Sequence, residues 1–201
     1  MERVEQVRQF RLNSTKAATQ RSADTPTLFQ EIRHPDSEYI IIPCHSSETR
    51  RYIPFGFVSS NILVNNAVQL IPGGSIYHFG ILTSNVHMAW TRAVCGRIKS
   101  DYRYSKDVVY NNFPWPTPTD TQKAKIEQTA QAILDARARY PESSLADLYD
   151  ELTMPPELRK AHQDNDRAVM QAYGFSVRDM TESKCVAELM RMYQKLVEVM
   201  E

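Results

Sequence analysis

Residues 52–91 contain no lysine, arginine, aspartate or glutamate, although charged residues are frequent on both sides. So long an uncharged segment has to be covered, and its own interruptions rule out lipid as the cover. Pro54, Asn61, Asn65, Asn66, Gln69, Pro72, Gly73 and Gly74 cut it into pieces far shorter than the roughly 20 apolar residues of a membrane helix. The block therefore reads as the buried centre of a globular domain. Within it, residues 53–58, 62–64, 68–71 and 76–82 are short apolar runs between turn formers, which predicts short strands in an irregular, largely buried sheet. Val86, Ala89, Trp90, Ala93 and Val94 then recur at helical spacing up to Gly96, which stands where a helix C-terminal glycine would.

The flanks extend this pattern. Val4, Val7 and Phe10, with charged residues between them, predict an opening amphipathic helix, ended or restarted at Asp24-Thr25-Pro26. Tyr39-Ile40-Ile41-Ile42, bounded by Pro35 and Pro43, reads as a buried strand. Pro114, Pro116 and Pro118 neither extend a helix nor pair centrally in a sheet, so they mark a boundary. Beyond it the spacing is helical throughout. Asp120 or Thr121 caps a helix carrying Ile126, Ala130, Ile133 and Leu134; Pro155-Pro156 opens another that closes at Tyr173-Gly174; Val186, Leu189, Met190, Tyr193, Leu196 and Val197 stripe the last. The expected fold class is α+β, an irregular mixed sheet with flanking helices followed by an α-helical C-terminal region. The expected division is 1–116 and 117–201.

A net charge of zero conceals an asymmetry: residues 1–116 hold 13 Lys/Arg against 9 Asp/Glu, and residues 117–201 hold 11 against 15. A basic half joined to an acidic helical half tilts the reading toward nucleic acid. Cys44, Cys95 and Cys185 are odd in number, far apart and without a C-x-x-C pair, so they read as buried free thiols. The N-terminus lacks the apolar core of a signal peptide, and a cytoplasmic, membrane-free protein is expected.

Residues 97–116 place alternating charges, tyrosines and paired amides ahead of a proline-locked aromatic exit. Lys99, Asp101 and Arg103 stand two apart, and on an extended backbone they share one face. Lysine donates to the guanine edge and aspartate accepts from the cytosine amine, so Lys99 with Asp101 suits one G·C pair; a salt-bridged, solvated strand edge explains the same pattern. Arg103 is a guanine or phosphate contact, or a surface arginine. Ser46, Ser47, Arg50 and Arg51 follow the first strand and offer hydroxyls and guanidiniums suited to phosphates, or form an ordinary polar turn. Asn65-Asn66 suits adenine, or a turn.

Catalytic patterns are missing. There is no Asn/Asp-Pro-Pro-aromatic loop of an amino-methyltransferase, no Gly-rich adenosyl-cofactor turn, and no compact acidic cluster leading into Glu-x-Lys as a nuclease needs. His34, His45, His78, His87 and His162 show no metal-ligand spacing, and Ser75 lacks the frame of a nucleophile.

Several long runs carry a resemblance: Ile76-Tyr77-His78-Phe79-Gly80-Ile81-Leu82-Thr83-Ser84; His87-Met88-Ala89-Trp90; Val94-Cys95-Gly96-Arg97-Ile98-Lys99-Ser100-Asp101-Tyr102-Arg103-Tyr104-Ser105; and Val109-Tyr110-Asn111-Asn112-Phe113-Pro114-Trp115-Pro116. Together they resemble the target-recognition domain of MmeI-like enzymes, which are large combined restriction and adenine-specific DNA methyltransferase proteins. Ala146-Asp147-Leu148-Tyr149-Asp150 and Leu152-Thr153-Met154-Pro155-Pro156-Glu157-Leu158 resemble the family's C-terminal helical region. The resemblance implies a non-catalytic module for double-stranded DNA, joined to an upstream methyltransferase domain in the same polypeptide. It also implies that S-adenosylmethionine belongs to that parent enzyme, with no cofactor and no metal in this chain. By the same resemblance Lys99, Asp101, Arg103, Asn66 and Ala67 read bases; the hydroxyls and guanidiniums of Ser46, Ser47, Arg50, Arg51 and Arg97 are, by their own chemistry, the expected phosphate contacts. The rival from another class is a structural or protein-interaction domain, for which residues 97–106 are only a solvated edge.

Overall fold

The computed structural model describes residues 2–31 and 34–200, with side chains through Glu198. The chain falls into two compact units, residues 1–35 and 36–201.

In the first unit, α1 (Glu2–Leu12) is followed by α2 (Ala17–Arg21) and a 3₁₀ turn, Ser22–Asp24. The Arg11 guanidinium donates to the carbonyls of Ser22, Thr25 and Leu28, each at 2.8 Å, and so gathers the following loop. The predicted helix forms but ends at Leu12, well before Asp24. Its apolar stripe is not buried, since Val4, Val7 and Phe10 are all exposed.

In the second unit, β1 (Tyr39–Pro43) is the centre of an antiparallel sheet, between β3 (Gly56–Val58) and β4 (Val68–Pro72). A second antiparallel sheet orders β2 (His45–Ser46), β6 (Asp101–Arg103) and β5 (Gly96–Ile98). Cys44 is the joint between them. Its N–H donates to Ala67 O at 2.8 Å beside β4, and its carbonyl accepts from Tyr104 N at 2.8 Å beyond β6. Residues 62–64 form no strand; Ile62 and Leu63 are exposed, and only 56–58 of the 53–58 run pairs.

The run expected as a fourth strand is instead α3 (Ile76–Leu82). A short, mostly buried apolar run is too brief for its periodicity to separate strand from helix. The deciding contact is at its start: Ser75 N–H donates to His78 Nδ1 at 3.1 Å, the imidazole serving where Glu or Gln serves in a capping box. The helix α4 (Asn85–Val94) follows, capped by Ser84, whose Oγ accepts from His87 N. Gly96 is not a left-handed terminator; α4 gives way to extended backbone at Cys95, and Gly96 opens β5.

Beyond the prolines come α5 (Asp120–Ala138), α6 (Leu145–Leu148), α7 (Pro156–Ala172) and α8 (Glu182–Met200). Thr119 caps α5 together with Gln122, one residue ahead of the expected position. Gly174, at φ +72°, closes α7. The helix α5 packs on α3 and α7, and α8 on α4. At the α3–α5 crossing a Cβ on Gly80 would lie 2.7 Å from Ile126 Cγ2 and 3.0 Å from Ala130 Cβ, so this position requires glycine. Asn165 of α7 donates to Gly80 O at 2.7 Å and accepts from Thr129 Oγ1 at 3.1 Å, fastening three helices together.

A further polar chain crosses the core. Arg137 donates to Phe55 O at 2.7 Å and to the Tyr149 hydroxyl, which meets His162 Nε2 at 2.7 Å. The His162 ring stacks on Tyr52 with centroids 4.1 Å apart, and the Tyr52 hydroxyl donates to Asp166 Oδ2 at 2.7 Å. Burial raises the Asp166 carboxyl to about 6 despite that donor and the Asn85 N–H on its other oxygen. Among the described residues no helix is long and apolar enough to cross a membrane, and the three cysteines are free and buried. The architecture is α+β, small antiparallel sheets with flanking helices followed by a helical C-terminal region.

Candidate nucleic-acid interface

The second sheet offers the surface that the charged segment predicts. Along β6 the side chains alternate: Asp101 and Arg103 are exposed while Tyr102 is 3% exposed, and Tyr104 beyond the strand is 2% exposed. Tyr104 is fixed from below by His87 of α4, whose Nε2 lies 2.9 Å from its hydroxyl. Burial lowers His87 to about 3, so this partner is a neutral imidazole. The inward tyrosines thus hold the strand on the core and turn Asp101 and Arg103 outward. In register, Ile98 stands opposite Asp101, and both Gly96 and His45 stand opposite Arg103. The outward face therefore carries His45, Ile98, Asp101 and Arg103.

Lys99 does not continue that row. The chain reverses between Ile98 and Asp101, and Lys99 occupies the first position of the two-residue loop at φ +55°. A lysine two residues ahead of an aspartate shares its face only on continuous strand, and the reversal moves Lys99 to the tip of a ribbon. Asp101 Oδ1 accepts from the backbone N–H of Glu48 at 3.1 Å, which draws the loop after β2 to the same tip.

A groove runs beside the ribbon, lined by His45, Asn66, Arg103, Lys106 and Asp107 among others. It brings together Asn66 and Arg103, as the resemblance implied. Ala67 is exposed on the same rim, its N–H held by Asn65 Oδ1 at 2.9 Å. His45, Lys106 and Asp107 join them, although nothing in the sequence marked these residues as site residues. The available signal was position alone, beside Cys44 and directly after the Asp101–Tyr104 alternation.

The residues assigned to phosphates scatter. Ser46 points inward, 4% exposed, because β2 alternates and its neighbour His45 takes the outer face; a buried hydroxyl cannot reach a phosphate, and this assignment is corrected. Ser47 shares a 3.0 Å hydrogen bond with Thr49 in the turn. Arg97 lies over the Tyr102 ring at 4.1 Å and donates to Ser100 O at 2.9 Å, so it braces the ribbon's inner side. Arg51 is exposed and lines a different hollow, with Asn85, Arg92 and Met170. No cluster of acidic, histidine or cysteine side chains suited to a metal exists among the described residues.

Residues 1–117 match the MmeI target recognition domain, and residues 118–201 match the MmeI C-terminal domain. DNA methyltransferase A of Bacillus subtilis (strain 168) is 37% identical over 197 residues, covering 98% of this chain and 22% of that protein. A solved structure of the Type IIL restriction-modification enzyme MmeI in complex with DNA is 47% identical, with a TM-score of 0.88, covering 98% of this chain and 26% of that one. The chain thus spans about a quarter or less of the length of these relatives. By sequence over its whole length the chain belongs to the MmeI family, as its target recognition and C-terminal domains.

Proposed function

We propose that this chain reads a specific double-stranded DNA sequence for an adenine-specific, S-adenosylmethionine-dependent methyltransferase of a restriction–modification system, with the methyl-transferring domain elsewhere in the same cytoplasmic polypeptide. The observation that carries the reading is the β5–β6 hairpin at the edge of the second sheet: tied to the core by Tyr102 and Tyr104, and bearing donors and acceptors on its free side. Residues 1–116 act as the recognition part and 117–201 as its helical support. Lys99 at the tip donates to guanine O6 and N7 while Asp101 accepts from cytosine N4, and Arg103, Asn66 and Ala67 face neighbouring base pairs. Ser47, Arg50 and Arg51 hold phosphates, with Arg97 contributing from the ribbon.

The test is to exchange the chemistry at the tip, Lys99→Asp with Asp101→Arg, in the complete protein and sequence its methylated sites. The preferred pair at one position should invert, each correct contact being worth roughly 1–3 kcal/mol of discrimination. An unchanged methylated sequence removes these two residues from the recognition code. In the same protein, replacing Arg50, Arg51 and Arg97 together should lower affinity for every duplex and flatten the salt dependence by about 0.9 in log–log slope per lost phosphate contact.

A further inference from the structure

The groove beside the ribbon has a second wall, and its chemistry repeats that of the tip. Residues Lys106–Tyr110 form a single π-turn, closed by Asn111 N–H on Lys106 O at 2.8 Å. Such turns are rare and concentrate at functional sites. This one is pinned from below. Val109 is fully buried, and its carbonyl accepts from Trp90 Nε1 at 2.9 Å. The Asn112 amide donates to Asp107 O at 2.7 Å and to Val108 O at 3.2 Å. A turn anchored by an indole and an amide has little freedom, and its outer side chains are carried on a rigid base. Beside the exposed Val108, those side chains are Lys106 and Asp107, 62% and 69% exposed and in contact at 2.9 Å. An ion pair this exposed adds little to stability, so folding does not account for its placement on so fixed a turn.

We infer that Lys106 and Asp107 are further specificity-determining residues that read a second G·C pair, Lys106 donating to guanine O6 and N7 and Asp107 accepting from cytosine N4. The inference rests on the DNA-reading function proposed above. In a G·C pair the guanine O6 acceptor and the cytosine N4 donor lie side by side on the major-groove edge. A donor and an acceptor already held side by side on the protein match that arrangement. The pair lines the same groove as Arg103, Asn66 and His45, and so lies on the surface assigned to DNA.

Two double variants of the complete protein test this, with methylated sequences read across a genome. Lys106→Ala with Asp107→Ala should make one base pair of the recognition sequence degenerate, erasing a preference of about ten-fold or more. Lys106→Asp with Asp107→Arg should invert that pair, at a position other than the one governed by Lys99 and Asp101. If the exchanged variant does not methylate, the alanine variant decides alone. An equally stringent sequence in the alanine variant overturns the inference. So does a loss of all methylation with an unchanged melting temperature, which would assign the pair to general binding. If the Lys99/Asp101 exchange moves the sequence and the 106/107 variants do not, only this inference falls; if neither does, the DNA-reading assignment falls with it.

Discussion

The α3–α5–α7 junction and the β2–β6–β5 ribbon are both rich in polar atoms and use them in opposite ways. At the junction Asn165 answers Gly80 O and Thr129 Oγ1, and beside it Asp166 answers Tyr52 and Asn85, between packed helices. On the ribbon the backbone is held as firmly, by Tyr102, Tyr104 and His87, yet Arg103 and His45 are directed outward. Satisfied polar groups fix one structure, whereas exposed ones on a rigid support leave hydrogen-bonding capacity for a partner.

That contrast can be broken from the core side. Trp90→Ala empties a nearly fully buried indole site and frees Val109 O, and should cost about 3–5 kcal/mol in denaturant unfolding. Gly80→Ala forces a methyl against Ile126 and Ala130 and should cost about 1–3 kcal/mol. A Gly80→Ala variant of unchanged stability would show that the helix junction is not closely packed, and a Trp90→Ala variant of unchanged stability would show that the indole does not anchor Val109.

A third experiment sharpens it through pH. The folded-state carboxyl of Asp166 sits at about 6, above its ordinary value near 3.8, so between those values the folded protein holds a proton that the unfolded chain has released. The stability this group contributes is therefore present below about 4 and is lost as pH rises to about 6. Asp166→Asn keeps an acceptor for Asn85 N–H and removes the titration. Relative to the unaltered protein, this variant should gain stability between pH 4 and pH 6, measured as the difference in urea midpoints; a constant difference would place the titration elsewhere.

The smallest effect belongs to the ribbon. Lys99→Gly relieves a left-handed φ at an exposed tip and should stabilise by up to about 1 kcal/mol while removing the donor. Stability and recognition should thus move in opposite directions at this one position. A loss of both would tie the tip to the fold.

Much of the framework was legible in the residues. The β-branched run at residues 39–42 became the central strand, the spacing from Val86 to Val94 became α4, and Pro156 with Gly174 bounded α7, because each carries a local signal. The 76–82 run was not legible as a helix, since it is short and most of its burial comes from α5 and α7, elements distant in sequence. The site was half legible. The Asp101–Tyr104 alternation announces itself, but the reversal at Lys99 depends on β5 pairing with β6 and lacks the Gly or Asn that advertises such a turn. Nor does local sequence say that Ser46 faces in and His45 out, since that follows from the pairing of β2 with β6.

The two family matches meet between residues 117 and 118, yet one apolar core runs across that seam, with Phe79 and Trp90 on one side and Ile126, Ile133 and Leu189 on the other. A recombination event at the proline triplet would pair an α3 shaped around one Ile126 and Ala130 with an α5 that evolved elsewhere, and Gly80 leaves no slack to absorb the misfit. The ribbon and the helices on both sides of this seam thus share one packed interior, and a graft that took only the part before the proline triplet would have to refit α3 to a foreign α5.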